Sequence, residues 1–346
     1  MENKYRWGIL GTGNAANVLA EAIKTSDTGI LAGIASREEK SAANFAKAHS
    51  VKKYFSSYEK LLEDSEIDIV CIALPHSLHA EWSIKTAEAK KHILCEKPCA
   101  INFDSAVEVI KAAKKNDVFY MEGFMYRCHK QTKKLVELLQ NKIIGDVRLI
   151  EASFCYHAFF DSKQIFLKKT TGGGAILDVG CYPMSMVRLI ASTENKTDSI
   201  SPLKVQAMAH VGVDSESDEW AIANIRFKGD ILAQISTGVS VEHRNDLRIF
   251  GSKGSIYIPS PWVPGGSGPG ITSIFLKQTG VKEIQELHIE TKVGLYQQEI
   301  DIVGMNINNR EAKEMSWQDT LDNMMAMQMW RKSVGIKPIP DSYIAK

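Results

Sequence analysis

The first third of the sequence alternates short apolar runs with longer stretches of helical character. Four runs are apolar at nearly every position: YRWGIL, GILAGIAS, IDIVCIAL and HILC. Stretches such as NVLAEAIK and REEKSAANFAKAH separate them. Strands that are apolar on both faces and alternate with helices predict a parallel sheet covered on both sides. We expect such a domain over residues 1–121.

The pattern changes after residue 121. Apolar and polar residues now alternate in DVRLIEASFCYH, LKVQAMAHVGV, EWAIANIRFKG, DILAQISTGVS, DLRIFGSKGSIYI, SIFLKQ and KEIQELHI. This alternation is typical of antiparallel strands with one covered face. A closing helix is expected over about residues 316–334, with Ser316 as its cap. The sequence therefore predicts an α/β chain whose second domain, residues 122–346, is α+β with a mostly antiparallel sheet.

Composition and charge exclude several classes of protein. The formal net charge is +1 and no basic stripe is present, so nucleic acid is not an expected partner. No apolar run approaches the ~20 residues of a membrane span, and MENKYRWGIL lacks the apolar core of a signal peptide. The six cysteines form no CxxC pair, which favours buried reduced thiols over disulfides or zinc ligands. We expect a cytoplasmic protein without a metal site.

A glycine motif lies at the first turn from strand to helix. Gly11, Gly13 and Ala16 form the pattern G-x-G-x-x-A, in which the first glycine permits a tight turn and the second permits close approach of a pyrophosphate. The alanine permits close packing of helix and strand, and the helix N-terminus attracts phosphate. The alternative is a tight turn without a ligand. The motif predicts dinucleotide contacts from Gly11, Thr12, Gly13, Asn14, Ala15 and Ala16.

The end of the second strand indicates which nicotinamide cofactor is bound. An NAD site usually has a carboxylate there, bonded to the ribose 2′-hydroxyl. This strand ends instead in Ser36 and Arg37, a hydroxyl and a guanidinium that suit a 2′-phosphate. Glu38 follows and is interpreted as a helix-capping residue. NADP is therefore the preferred cofactor and NAD the alternative.

Further polar residues follow the later strands of the parallel sheet. Lys97, in HILCEKPCAIN, lies where open parallel sheets bind ligands, so we expect it to face the reactive end of the cofactor. His76 and His79, in PHSLH, either line the same pocket or serve only at the start of a helix. Leu74 and Glu96, at the ends of the same strands, complete the predicted cofactor contacts.

Six segments together resemble a known family: GILGTGNAA, ALPHSLHAEW, CEKPCA, GFMYRCHKQ, GGGAILDVGCYP and LRIFGSKGSI. In order and spacing they are similar to the Gfo/Idh/MocA oxidoreductases, and most of all to the branch of dihydrodiol dehydrogenases and NADP-dependent xylose dehydrogenases. The resemblance implies a Rossmann domain followed by a domain with a large, open sheet, through which subunits form homo-oligomers. It also implies a sugar, polyol or trans-diol substrate.

The segment GGGAILDVGCYP carries the catalytic residues that the resemblance implies. Many members of the family have His at the position of Tyr182, whereas the branch named above has Tyr. Because a phenol has a pKa of ~10, Tyr182 needs nearby positive charge to act as a base, and Lys97 is predicted to supply it. Asp178 precedes Tyr182 by four residues, so an intact helix would place both on one side, unless Pro183 interrupts it. The alternative is that Asp178 caps a helix and Tyr182 belongs to the core.

The remaining contacts are predicted around the junction of the two domains. The resemblance places cofactor and substrate contacts at Arg127 and Tyr126. Tyr156 and His157 end the first strand of the second domain and are predicted to face the substrate, beside Asp178; an exposed His157 without a ligand is the alternative. The expected activity is an NAD(P)-dependent dehydrogenase acting on CH–OH groups. The alternatives are an NAD-dependent glycosidase with transient oxidation and a non-catalytic dinucleotide-binding regulator.

Overall fold

The first third of the chain forms a parallel sheet of six strands. The computed structural model describes residues 4–157, 171–337 and 340. The strands of the first sheet are β1 (Tyr5–Leu10), β2 (Gly29–Ala35), β3 (Lys53–Phe55), β4 (Ile69–Ile72), β5 (His92–Glu96) and β6 (Tyr120–Gly123). They lie in the order β3-β2-β1-β4-β5-β6, and all neighbours are parallel. The chain changes direction across the sheet between β1 and β4, where sheets of this kind bind ligands.

Helices cover both faces of this sheet, which explains why its strands are apolar throughout. The helices are α1 (Asn14–Thr25), α2 (Glu39–His49), α3 (Tyr58–Glu63), α4 (His79–Glu88) and α5 (Phe103–Asn116). Trp7 and Ile9 of β1 pack in one core with α1 and α2. Leu10, which points to the other face, packs in a second core with α3, α4 and α5. Successive residues of a strand therefore both need apolar side chains.

The second half contains an eight-stranded sheet. Its strands are β7 (Val147–Cys155), β8 (Lys204–Val211), β9 (Asp218–Arg226), β10 (Leu232–Gly238), β11 (Leu247–Gly251), β12 (Gly254–Ile258), β13 (Gly270–Gln278) and β14 (Gln285–Thr291). They lie in the order β14-β13-β12-β11-β7-β10-β9-β8. β7 and β10 are parallel, and the other neighbouring pairs are antiparallel. The predicted fold class is confirmed.

One face of the second sheet is covered by helices and the other is open. The remaining helices are α6 (Met125–Cys128), α7 (Lys130–Gln140), α8 (Ala175–Asp178), α9 (Cys181–Asn195), α10 (Leu295–Asn306) and α11 (Trp317–Ser333). α7, α8, α9 and α11 contact the sheet. In β9 the inward Ala221 and Ala223 are buried, whereas the alternating Trp220 and Ile222 are exposed.

The last two helices return to the parallel sheet. α10 packs against α1, and α11 packs against α5. The indole Nε1 of Trp317 donates a hydrogen bond to the carbonyl of Tyr120 in β6, at 3.1 Å. Met324 of α11 lies in the same core as Val109 and Ile110 of α5. The closing helix, predicted over residues 316–334, thus contributes to the core of both halves.

Several helices and strands were not predicted from the sequence: β3, β6, α3 and α10.

All six cysteines are buried and free, as the sequence predicts: Cys71, Cys95, Cys99, Cys128, Cys155 and Cys181. Among the helices in the described segments, none combines the length and apolar character needed to cross a membrane.

Candidate active site

A pocket of about 1060 Å³ lies beside the carboxyl ends of the parallel strands. Residues that follow β1, β2, β4 and β5 form one side, and residues of the second half form the other. Most of the predicted ligand contacts line it: Gly11, Thr12, Gly13, Asn14, Ala15, Ser36, Arg37, Leu74, His76, His79, Glu96, Lys97, Tyr156, Asp178 and Tyr182. The pocket therefore joins the two sets of residues that the sequence assigned to cofactor and substrate.

The turn after β1 has the shape of a phosphate cradle. Gly11 has a φ of 109°, and a Cβ there would collide with the carbonyl of Ala73. A Cβ on Gly13 would meet no atom within 4 Å, so the backbone there is open to the pocket. Gly13 is also the N-cap of α1 and offers no side-chain cap, which leaves the first N–H groups of the helix free for an anion. These residues fit a dinucleotide pyrophosphate.

Ala16 does not line the pocket. It is fully buried in the core between α1 and the sheet. A direct cofactor contact of this residue stays a prediction, since its side chain packs in the core with residues of β1 and β2. Its role is the close helix packing that the motif also requires.

The end of β2 carries the groups that distinguish a ribose hydroxyl from a 2′-phosphate. Arg37 is exposed at the pocket, and its positive charge partly offsets the effect of burial, which raises the pKa of the neighbouring Tyr58. Glu38 accepts a hydrogen bond from Ser41 Oγ at 2.9 Å. Its carboxylate is thus engaged within its own helix. Tyr58 and Ser41 were not predicted: α3 was not recognised, and Ser41 lies in the first turn of α2 rather than in the loop before it.

The opposite end of the pocket is organised by Asp178. Lys97 Nζ donates to Asp178 Oδ1 at 3.1 Å and to the carbonyl of Asp178 at 2.5 Å. The hydroxyl of Tyr156 donates to Asp178 Oδ2 at 2.6 Å. Burial alone would lower the pKa of Lys97, but Asp178 and other negatively charged neighbours together outweigh burial and raise that pKa. Burial would raise the pKa of Asp178, but Lys97 and other groups lower it. The pair is therefore ionised at neutral pH.

Tyr182 lies in this end of the pocket, within a cluster of aromatic side chains. Its ring packs edge-on against Phe124 and Phe154. Lys97 Nζ is 5.3 Å from the ring centre. The Tyr182 hydroxyl donates to Met125 Sδ, at 3.5 Å. Burial raises the pKa of Tyr182 well above its usual value.

Asp178 and Tyr182 are not on one helix, and this prediction is wrong. Asp178 is the last residue of α8, and Tyr182 is the second residue of α9. Pro183 lies in the first turn of α9, where a missing N–H costs no helical hydrogen bond. The helix is therefore interrupted before Tyr182 rather than at Pro183. Lys97 binds Asp178 and not the tyrosine hydroxyl.

The two histidines have different surroundings. His76 Nδ1 lies 3.1 Å from the carbonyl of Gly172, and its Nε2 lies 3.9 Å from Asp178 Oδ1. His79 is fully buried, and both ring nitrogens lie 2.7 Å from carbonyls, those of Leu74 and Pro98. Burial and the neighbouring His76 lower the pKa of His79 to about 4. His79 thus joins the loops after β4 and β5.

Tyr126 and Arg127 are buried and do not line the pocket, so their ligand contacts remain predictions. The Tyr126 hydroxyl donates to Ser185 Oγ at 2.9 Å. Arg127 forms a buried ion pair with Asp319 and donates from Nε to the carbonyl of Glu314 at 3.0 Å. α6 directs both side chains into the protein interior, toward α9 and α11.

Two other residues complete the comparison with the sequence. His157 is exposed and forms a β-bridge with Ser240, and it is not a lining residue of the pocket. Tyr296 of α10 does line the pocket and was not predicted. Within residues 4–157, 171–337 and 340, no group of three or more His, Cys, Asp or Glu side chains is arranged to hold a metal ion.

Two family models match most of the chain. Residues 5–124 match the oxidoreductase family with an NAD-binding Rossmann fold. Residues 132–257 match the GFO/IDH/MocA C-terminal domain. The chain belongs to the Gfo/Idh/MocA oxidoreductase family. This membership confirms both the predicted family and the prediction that the protein is an NAD(P)-dependent oxidoreductase.

Curated relatives and solved structures agree with this assignment. Trans-1,2-dihydrobenzene-1,2-diol dehydrogenase of Danio rerio is 32% identical over 262 residues, which are 75% of this chain and 76% of that protein. D-xylose 1-dehydrogenase (NADP(+)) 2 of Haloferax volcanii is 35% identical over 191 residues, 55% of this chain and 58% of the relative. A 3-ketoreductase of Actinomadura kijaniata, solved with NADP and TDP-benzene, shares the fold, with a TM-score of 0.86, 22% identity and coverage of 98% and 100% of the two chains.

Proposed function

We propose that this Gfo/Idh/MocA protein is an NADP-dependent dehydrogenase. It transfers a hydride between a secondary alcohol or hemiacetal carbon of a sugar, polyol or trans-diol and C4 of the nicotinamide. The names of the Danio rerio and Haloferax volcanii relatives support a diol or sugar substrate. The observation that carries the proposal is that the phosphate cradle at Gly13 and the ion pair of Lys97 and Asp178 line one pocket.

The preference for NADP rests on the end of β2. The side chains of Ser36 and Arg37 line the pocket where the adenosine ribose would lie, and Glu38 bonds to Ser41. A guanidinium can bind a 2′-phosphate through two hydrogen bonds, and the carboxylate beside it at the pocket, that of Glu38, already accepts a hydrogen bond from Ser41. The name of the Haloferax volcanii relative gives NADP as its cofactor, and the Actinomadura kijaniata structure contains NADP. Both agree with this choice.

Tyr182 is the proton carrier in this proposal. Of the phenols that line the reacting end of the pocket, Tyr156 already donates its hydroxyl hydrogen to Asp178. The Tyr182 hydroxyl faces the thioether of Met125, which is a weak acceptor. A substrate oxygen would be a better partner, so the hydroxyl can turn to it at little cost. Because burial raises the pKa of Tyr182, the residue holds a proton that it can donate to an alkoxide during reduction.

Lys97 stabilises negative charge on the same substrate oxygen. The charge of Asp178 raises the pKa of Lys97 against the effect of burial, so the amine remains a cation. A cation fixed in a water-poor site favours the alkoxide in either direction of the reaction. Asp178 and Tyr156 hold this cation in place, and the nicotinamide supplies the hydride donor or acceptor.

Steady-state kinetics with a panel of aldoses, inositols and trans-diols test the proposal. Reduced nicotinamide should accumulate steadily with NADP and at least one class of substrate. Tyr182→Phe should lower kcat by about 10²- to 10⁴-fold, as expected for the loss of an acid–base group. The matched control is Tyr54→Phe, because Tyr54 is 46% exposed and does not line the pocket. A fall of less than about tenfold excludes Tyr182 as the proton carrier.

Glycoside cleavage without release of reduced cofactor would support the alternative of an NAD-dependent glycosidase. Cofactor binding without turnover would support the alternative of a non-catalytic regulator.

We also propose that two or more copies associate through the open face of the second sheet. Large apolar side chains are exposed there on neighbouring strands: Met208 at 75%, Trp220 at 41%, Ile222 at 50% and Leu232 at 43%. An apolar group of this size marks an interaction surface more often than isolated exposed residues do. The six free thiols fit a reducing compartment such as the cytoplasm.

A further inference from the structure

A buried carboxylate lies behind the glycine run, outside the pocket. Asp218 is the first residue of β9, and its side chain is 3% exposed. Its Oδ2 accepts a hydrogen bond from the backbone N–H of Ile176, at 2.6 Å. Ile176 is the second residue of α8, the helix that ends at Asp178. The carboxylate of Asp218 is thus bonded to the short helix that carries the carboxylate of Asp178.

The glycine run provides the space for this contact. Gly174 is the N-cap of α8 and has a φ of 119°, a conformation that residues with a Cβ rarely adopt. A Cβ at Gly174 would collide with Oδ1 of Asp218. Glycine cannot cap the helix with a side chain, so the carboxylate from β9 performs that role from another part of the chain.

α8 needs such a restraint because it is a single turn. It spans Ala175–Asp178, and one helical turn is not stable by itself. Asp178 N–H donates to the carbonyl of Gly174 at 3.0 Å, so the position of Asp178 follows that of the helix start. Thr237 Oγ1 donates to the carbonyl of Ala175 at 3.2 Å, which fixes the same turn from β10.

Asp218 also interacts with the closing helix. Burial raises the pKa of Asp218 to about 6, while the hydrogen bond from Ile176 and the charge of Arg331 act in the opposite direction. Arg331 of α11 donates from Nη1 to the carbonyl of Ile101, at 3.0 Å. Ile101 follows Lys97 by four residues and packs against Gly172. The carboxylate is therefore mostly ionised at neutral pH, and the charge of Arg331 links it to the loop that contains Ile101.

We propose that Asp218 is a positioning residue for the reaction: by fixing the start of α8, it places Asp178 so that Asp178 holds the Lys97 amine in the pocket. This inference rests on the proposed function, and it assigns a role to a residue that contacts neither substrate nor cofactor. It also explains the positive φ of Gly174, since this is where the carboxylate of Asp218 reaches the backbone.

Kinetics of Asp218 variants provide the first test. Asp218→Ala removes the acceptor and should lower kcat by about 10- to 100-fold, the effect of misplacing a catalytic group by about 1 Å. Asp218→Asn retains one acceptor oxygen and should recover part of that loss. The KM for NADP should stay within about twofold in both, because the phosphate cradle is at the other end of the pocket. The matched control is Asp214→Asn, an exposed residue of the same hairpin, which should change nothing. An unchanged kcat in Asp218→Ala overturns the proposal.

A double-mutant cycle separates positioning from general damage. If Asp218 acts through Asp178, then Asp218→Ala in an Asp178→Asn background should lower kcat by less than about twofold. An equal loss in both backgrounds overturns the proposal.

A third readout does not depend on activity. In the ligand-free protein, acetic anhydride should modify Lys97 several-fold faster in Asp218→Ala than in the wild type, relative to the exposed Lys47. Equal rates overturn the proposal. Absence of dehydrogenase activity in the wild type would instead reject the proposed function and leave this labelling test valid.

Discussion

Replacing Asp218 with asparagine should stabilise the folded protein at neutral pH while it lowers activity. Burial raises the pKa of this carboxyl from 3.8 to about 6. The folded state therefore binds the Asp218 proton more tightly than the unfolded chain does. A carboxyl of this kind contributes most to the free energy of unfolding below pH ~4. This contribution is lost as the pH rises through ~6, because the folded state must then hold a buried charge. Asparagine has almost the same shape and no charge to bury.

The size of the effect follows from the difference between the two pKa values. A difference of about two pH units corresponds to about 3 kcal/mol of unfolding free energy. For a chain of 346 residues, the unfolding entropy is about 0.7 kcal/mol/K, so 3 kcal/mol changes Tm by about 4 °C. The Tm of Asp218→Asn minus that of the wild type should therefore rise by about 4 °C between pH 4 and pH 7.5. Other titrating groups are the same in both proteins and cancel in the difference.

Calorimetry of both proteins across this pH range checks the prediction. Asp214→Asn is again the control, and its Tm difference should not vary with pH, since Asp214 is exposed. If the Tm difference for Asp218→Asn stays constant within about 1 °C across this pH range, burial does not raise the pKa of the carboxyl in the folded protein. A difference that falls with rising pH would show that the folded state favours the ionised form, and would refute the reasoning.

Two further predictions concern cofactor choice and assembly. Arg37→Ala should raise the KM for NADP at least tenfold and leave the KM for NAD within about twofold, because only the 2′-phosphate loses its partner. Steady-state kinetics with both cofactors measure the two values. Parallel changes in the two KM values would contradict the prediction. Ile222→Lys should convert an oligomer to a smaller species, because Ile222 is 50% exposed in the centre of the apolar face. Light scattering measures the mass, and an unchanged mass would exclude this face as the interface.

The parallel sheet could be predicted because its strands bury both faces and therefore read as unbroken apolar runs. β3 was missed because it has three residues, only partly buried or exposed. α10 was missed because it buries polar side chains, among them Glu299 and Asp301, which hide the helical periodicity. That omission also concealed Tyr296, which α10 brings to the pocket.

The candidate site was predictable where it depends on local sequence. Gly11 and Gly13 act through the conformation of their own backbone, so the motif alone placed them. The buried ion pair of Arg127 was missed because its partner, Asp319, lies 192 residues further along the chain. The relation of Asp178 to Tyr182 was also wrong, since spacing in sequence does not reveal that one helix ends and another begins between them.

The return of α11 to the parallel sheet has a consequence for biosynthesis. The ribosome produces residues 4–123 first, and their strands and helices can begin to associate while the rest is still being translated. Yet Met324 completes the core formed by Val109 and Ile110, and Trp317 covers the end of β6. The parallel sheet and its helices therefore become fully enclosed only after α11 has left the exit tunnel. Until then, an apolar strip along α5 is available to chaperones.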